Sequence, residues 1–127
     1  RSLLQNIIKI AEEEYGYSFL LGPEYEFFLL KGEENDVAQH TDMAGYFHSD
    51  PFDKGDSVRE EIISAISKCG IKFEKDHHEV TPSQHEINFE CLPPLEAADQ
   101  TSLFKHVAKK IAAELRRYRS ALDAHGG

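Results

Sequence analysis

Residues 73–91 read FEKDHHEVTPSQHEINFEC and predict two strands joined by a turn. We expect the first strand over residues 71–78, the second over residues 84–91, and the turn at Thr81-Pro82-Ser83. Polar and apolar residues alternate along the second strand, which places them on opposite faces of a sheet. The polar face receives Gln84, Glu86, Asn88 and Glu90, and the apolar face receives His85, Ile87, Phe89 and Cys91.

Helices and further strands are predicted on both sides of this pair. The elements are, in order, a helix over residues 2–15, one or two strands over 17–30, a polar loop over 31–57 with a short strand at 44–47, a helix from 56 or 57 to 69, the two strands above, and a helix over 95–124. Apolar residues recur at helical spacing in the three helices. This order favours the α+β class, with an antiparallel sheet that carries helices packed on one face.

The composition is that of one globular domain of 127 residues, with 40% hydrophobic and 29% charged residues. The formal charge of -9 argues against nucleic acid as a partner, because nucleic-acid binding proteins present basic surfaces. No apolar run approaches the roughly 18 residues that span a bilayer, so we expect no membrane partner. Cys69 and Cys91 form no C-x-x-C motif. We expect both in the core of a cytoplasmic protein.

Carboxylates collect on the polar face of the predicted sheet. Glu24 and Glu26 stand two residues apart, so a strand points both to one side, roughly 7 Å apart. Glu79 adds a carboxylate at the strand–turn junction. Phe28 lies on the same face as Glu24 and Glu26, so this face is not uniformly polar. Two interpretations remain open. The face is solvated, as antiparallel sheets commonly are, or the carboxylates hold a hard cation such as Mg²⁺ or Mn²⁺.

His77 and His78 are adjacent on the first strand and therefore point to opposite faces. They cannot both bind one metal ion from a regular strand, which disfavours a zinc site. We expect one of them to form a hydrogen bond in the core and the other to meet solvent or substrate.

Several motifs resemble the glutamine synthetase family. GPEYEFFL at residues 22–29 resembles the segment that opens the family's catalytic domain. FEKDHHEVTPSQHEI at residues 73–87 resembles its central metal and nucleotide motif. The similarity covers nearly residues 1–115 and is strongest for the bacterial and archaeal type I branch. Shorter matches occur in the right order at residues 45–47, 66–71, 97–99 and 104–107.

This resemblance implies a role for five glutamates. Glu26, Glu79 and Glu86 match the three carboxylates that hold a first divalent ion, Mg²⁺ or Mn²⁺. Glu24 matches one ligand of a second ion, and Glu74 matches an acidic residue at the ATP site. Glu74 and Glu79 are five residues apart, so a regular strand would point them to opposite faces. A bulge or a strand end must therefore intervene if both reach one site. No residue is assigned as catalytic.

The resemblance also implies an activity and a fold. We expect ATP-dependent formation of glutamine from glutamate and ammonia through γ-glutamyl phosphate, in a cytoplasmic homo-oligomer. Residues 1–127 are expected to be part of a guanido-kinase-like catalytic domain, without the family's N-terminal β-grasp domain and C-terminal half.

Departures from the family pattern keep other interpretations open. The sequence after Leu115 does not continue into the expected strand, and Ser83 stands where glycine is usual. The family's further metal ligands and its phosphate-binding arginines come after the point where this chain stops, so we expect the isolated chain to be inactive. There are two alternatives. The chain is an inactive metal-binding or interaction fragment, or it belongs to a related carboxylate–amine ligase that uses another amine.

Overall fold

The computed structural model describes residues 1–32 and 39–115, and the backbone of residues 119–121. The elements are, in order, α1 (Ser2–Tyr15), β1 (Glu24–Lys31), β2 (Gln39–His40), α2 (Asp56–Lys68), β3 (Phe73–His78), β4 (Gln84–Phe89), α3 (Pro94–Glu114) and β5 (Arg119–Ala121). The expected α+β fold is confirmed, and the three helices and the strands β1, β3 and β4 follow one another in the predicted order.

The sheet is antiparallel and has the strand order β2-β1-β4-β3, with β5 also paired to β1. Tyr25 pairs with Ile87, and Glu26 pairs with Glu86. On the other side of β4, His77 also pairs with Glu86. Since directly paired residues share a face of the sheet, this register places Glu26, His77 and Glu86 in one row across three strands.

The opposite face of the sheet packs against α2 and α3. Phe104 of α3 is fully buried there and stacks on Tyr25, with 4.4 Å between ring centroids. The alternation expected along β1 is confirmed, since Phe27 and Leu29 are buried with Tyr25. The whole core cluster comprises Tyr25, Phe27, Leu29, Val58, Ile62, Ile66, Ile87, Phe89, Phe104, Ala108 and Ala112.

The prediction was wrong at three places before α2. The strand expected over residues 17–30 begins only at Glu24, and Leu21 forms just an isolated bridge with Leu92. The short strand expected at 44–47 does not form, because His48 N–H donates to the Gly45 carbonyl in a turn and Phe47 has a left-handed backbone conformation. A strand forms at Gln39–His40 instead. Residues 33–38 of the predicted loop lie outside the described residues.

The prediction was also wrong at the end of the chain. The last helix ends at Glu114 and not near residue 124. Residues 119–121 then form β5 against Phe28–Leu30 of β1, although we expected no strand after Leu115. The physical reason is that the apolar periodicity of α3 stops at Leu115, while β1 still offers backbone groups that a further strand can pair. The predicted helical residues 122–127 lie outside the described part.

Both cysteines are exposed, which corrects the expectation that they belong to the core. Each lies just beyond the end of an element, Cys69 after α2 and Cys91 after β4, where the side chain leaves the packed layer. No helix in the described ranges is long and apolar enough to cross a membrane.

Candidate metal centre

Two carboxylates and an imidazole converge at the ends of β3 and β4. Ligand atoms of His77, Glu79 and Glu86 all lie within 4.8 Å of one another. His77 Nδ1 is 3.5 Å from Glu79 Oε1, and His77 Nε2 is 3.5 Å from Glu86 Oε2. His77 and Glu86 are about 5% exposed, so the polar face is not simply solvated. Such a group of oxygen and imidazole donors fits a divalent cation.

The charge of Glu86 is poorly compensated in the protein alone. Burial raises the pKa of the Glu86 carboxyl, and the neighbouring Glu79 acts in the same direction. Asn88 Nδ2 donates to Glu86 Oε1 at 2.8 Å and opposes this shift. Glu24 also raises the pKa of Glu86 through its charge. A cation at this position would remove the repulsion between these carboxylates.

The other glutamates singled out in the sequence lie further along the same sheet. Glu26 is exposed and accepts a hydrogen bond from Gln84 Nε2 at 2.7 Å. Glu24 is exposed on the same face, paired with Asn88. Glu74 lies at a register shift between Phe73 and Lys75. An irregularity of this kind is needed if Glu74 and Glu79, which would alternate to opposite faces of a regular strand, are to reach one site. The role of Glu74 at a nucleotide stays a prediction.

Two exposed aromatic rings cover His77 from the loop between β2 and α2. The Phe47 ring stacks on the His77 imidazole with 4.5 Å between centroids, and the Tyr46 ring meets it edge-on at 5.3 Å. Phe47 has a φ of 56°, a left-handed backbone conformation that is rare for a bulky residue. Its backbone N–H donates to the His78 carbonyl at 3.0 Å. The loop therefore fixes the outer side of the candidate site.

The two histidines point to opposite faces, as expected from their parity. His78 is fully buried and contacts Asp42, whereas His77 faces the carboxylates. The expectation that one histidine forms a hydrogen bond in the core is confirmed for His78. His77 was not foreseen as a member of the metal centre, although it stands two residues before Glu79 and regular alternation places the two on one face.

Sequence reasoning missed a second buried polar cluster, which lies on the helix side of the sheet. Ligand atoms of Asp42, Asp53, His78 and His85 lie within 4.8 Å of one another. Arg59 of α2 joins them and binds Asp53 at 2.8 Å. The available signal was Arg59 itself, a charged residue beside Val58 on the core-facing side of a helix.

His85 is expected to make the fold sensitive to mild acid. Burial and, after it, the Arg59 charge lower the pKa of His85 to about 3. The unfolded chain takes up a proton at His85 below about pH 6.5, but the folded protein does not until near pH 3. This contribution to stability is complete above pH 6.5 and is lost as the pH falls. At pH 5 we expect a loss of about 2 kcal/mol from this residue.

Urea unfolding at pH 7 and pH 5 in EDTA measures this loss. The His85→Gln variant should show a pH dependence smaller by about 2 kcal/mol. His106→Gln, at an exposed position of α3, is the matched control and should behave like the wild type. Equal pH dependence in His85→Gln and the wild type would contradict the prediction.

The fold and site define a class of protein, a mixed α and β domain with a carboxylate centre suited to a divalent cation. The family described as "Glutamine synthetase, catalytic domain" matches residues 1–119. The chain belongs to this family, and the resemblance seen in the sequence is confirmed.

Individual relatives agree with this assignment. The chain is 43% identical over 122 residues to the glutamine synthetase of Methanosarcina mazei, covering 94% of this chain and 27% of the relative. It is 39% identical over 114 residues to the Staphylococcus aureus glutamine synthetase, covering 88% and 26%. The chain thus spans about a quarter of the length of these curated relatives.

Solved structures share the fold. A cryo-EM structure of Plasmodium falciparum glutamine synthetase matches with a TM-score of 0.78 and 21% identity, covering 94% of this chain and 29% of that chain. A GmaS/ADP complex matches with a TM-score of 0.75 and 24% identity, covering 93% and 27%.

Proposed function

We propose that Glu26, Glu79 and Glu86 hold a divalent cation, Mg²⁺ or Mn²⁺, with His77 packed between the last two. The observation that carries the proposal is the convergence of His77, Glu79 and Glu86 within 4.8 Å at a largely buried position. The register that pairs Glu26 with Glu86 supports the third carboxylate. Oxygen-rich donor sets favour these hard cations over zinc.

Two further glutamates complete the proposed site. Glu24, on the same face as Glu26, contributes to a second divalent ion, and Glu74 contributes to ATP binding. Both side chains are exposed and thus accessible to a ligand. Their assignment follows the family motif, position by position. The assignment of Glu24 is also supported by its position on the same face of the sheet as Glu26.

In the whole protein, we propose that this site serves the formation of glutamine from glutamate, ammonia and ATP through γ-glutamyl phosphate. Bound divalent ions would neutralise phosphate charge during phosphoryl transfer. The chain's own contribution is to hold the carboxylates rigidly on paired strands, since phosphoryl transfer depends almost entirely on positioning and charge neutralisation.

Assembly into a cytoplasmic homo-oligomer belongs to the same proposal, as does the inactivity of the 127-residue chain alone. The alternatives predict different binding behaviour. An interaction fragment need not bind metal or ATP, whereas a ligase acting on another amine would bind both.

Thermal unfolding in EDTA and in a series of Mn²⁺ concentrations tests the proposed centre. Since the ion would bind the folded state, stability should rise by about 2.7 kcal/mol when free Mn²⁺ exceeds its dissociation constant 100-fold. Glu86→Gln should abolish this rise. In EDTA at neutral pH, Glu86→Gln should melt a few degrees above the wild type, because the ionised carboxylate is disfavoured where it is buried.

Glu90→Gln is the matched control. Glu90 follows β4 but is exposed and pairs with Lys72 at 3.2 Å, away from the centre. It should keep the full response to Mn²⁺. The proposed centre would be refuted by a wild type that Mn²⁺ does not stabilise, or by an equal stabilisation of Glu86→Gln.

A further inference from the structure

A buried histidine side chain contacts the backbone carbonyl of Glu79 from the helix side of the sheet. His78 Nδ1 lies 2.6 Å from the Glu79 carbonyl oxygen, and His78 Nε2 lies 3.0 Å from Asp42 Oδ1. The Glu79 carbonyl can only accept, so the ring donates a hydrogen bond to it from Nδ1, while Nε2 lies against the Asp42 carboxylate. His78 is fully buried, at 0% exposed. The imidazole therefore joins a buried carboxylate directly to the backbone of a proposed cation ligand.

Asp42 is itself fixed by the backbone of separate segments. Asp42 Oδ1 accepts the N–H of Ser83 at 3.0 Å and that of Ala44 at 3.3 Å, and Oδ2 accepts the N–H of Lys54 at 3.0 Å. Burial tends to raise the pKa of Asp42, but these hydrogen bonds and His78 outweigh it and keep that pKa below its usual value. Asp42 is thus a rigid anchor for the imidazole.

The other bonds of Glu79 show why its backbone needs such an anchor. Its N–H donates to the Gln84 carbonyl at 2.8 Å, on the far side of the turn. Its position lies past the end of β3, so its own carbonyl has no ladder partner among the pairs of β3 and β4. His78 supplies that partner. With both backbone groups held, the Glu79 side chain is set facing His77 and Glu86.

We propose that His78 is a positioning residue for Glu79, with Asp42 fixing the orientation of the imidazole. This inference rests on the proposed cation centre and extends it to the opposite face of the sheet. Partners that orient a metal ligand without touching the metal commonly change metal affinity by 10–100-fold. His78 acts through the ligand's carbonyl group, so its loss would loosen the direction of the Glu79 carboxylate.

Mn²⁺ titration followed by electron paramagnetic resonance tests the proposal, since bound Mn²⁺ loses the sharp signal of the free ion. His78→Gln keeps a donor near Asp42 but loses the one at the Nδ1 position, and it should bind Mn²⁺ at least about 10-fold more weakly. His78→Asn keeps a donor at the Nδ1 position and should recover affinity to within about 3-fold of the wild type.

His85→Gln is the matched control for a merely structural effect. His85 is equally buried and lies beside Glu86, but it contacts Arg59, Asp53 and neighbouring rings, whereas His78 bonds the backbone of a proposed ligand. Its Mn²⁺ affinity should stay within about 2-fold of the wild type, well below the change expected for a positioning partner.

The outcomes separate the inference from the proposed centre. Absence of Mn²⁺ binding in the wild type would overturn the centre and this inference together. Wild-type binding with unchanged affinity in His78→Gln, or an equal loss in His85→Gln, would overturn the inference alone. If His78→Gln does not fold, His78→Asn decides: near-wild-type affinity supports the role of the Nδ1 donor, and a 10-fold loss overturns it.

Discussion

Replacing Arg59 by methionine is expected to lower the free energy of unfolding by about 3–5 kcal/mol, because it leaves buried charge without a partner. Arg59 is 4% exposed. It binds Asp53 at 2.8 Å, Asp56 at 2.9 Å and Asp76 at 2.6 Å, and it lies 2.9 Å from His85 Nδ1. These contacts join α2, β3, β4 and the loop before α2, so the loss should spread through the fold.

Chemical denaturation of Arg59→Met and two companion variants measures this effect. Arg59→Lys keeps the charge but not the planar fork of donors, and it should lose less than Arg59→Met. The double variant Arg59→Met/Asp53→Asn should recover part of the loss, since it removes the carboxylate left buried and unpaired. A loss below 1 kcal/mol in Arg59→Met would show that the cluster does not depend on this cation.

Phe104→Ala should cost about 3–5 kcal/mol, the range for removing a large aromatic side chain from a packed core. Phe104 is fully buried. Its ring stacks on Tyr25 and meets Phe27 and Phe89 edge-on, with 6.0 Å between the centroids in both latter cases. These three residues point away from the carboxylate face of β1 and β4, so Phe104 supports the metal centre from behind.

Phe52→Ala is the matched control for this substitution. Phe52 is 64% exposed and lies in the loop before α2. The same chemical change should alter stability there by no more than about 0.5 kcal/mol. Similar losses in the two variants, measured by urea unfolding, would contradict the assignment of Phe104 to the centre of the core.

Alternation along two strands was sufficient to predict the part of the site that lies on them. Tyr25 and Phe27 are buried while Glu24 and Glu26 face the other way, as their spacing requires. The pairing of Glu26 with Glu86 was not readable from the sequence, because the register of two strands far apart in the chain depends on packing. The prediction that Glu26 and Glu86 lie close together came from the resemblance to the family motif.

The loop between β2 and α2 escaped prediction for a different reason. Asp42 and Asp53 have no period that marks them as buried, and their partners lie in other elements. Phe47 adopts a left-handed conformation that no propensity favours. Local sequence rules do not describe a segment whose conformation is set by distant hydrogen bonds, such as those that Ser83 receives from Thr41.

The central place of β1 has a consequence for how the chain acquires its fold during synthesis. About fifty residues separate the end of β1 at Lys31 from the start of β4 at Gln84, the strand it pairs with most extensively. At ribosomal rates this gap takes roughly 3–10 s to make. During that interval Tyr25, Phe27 and Leu29 have neither β4 nor Phe104 to cover them. The apolar face of β1 is therefore exposed to aggregation in the nascent polypeptide until β4 and α3 have been made.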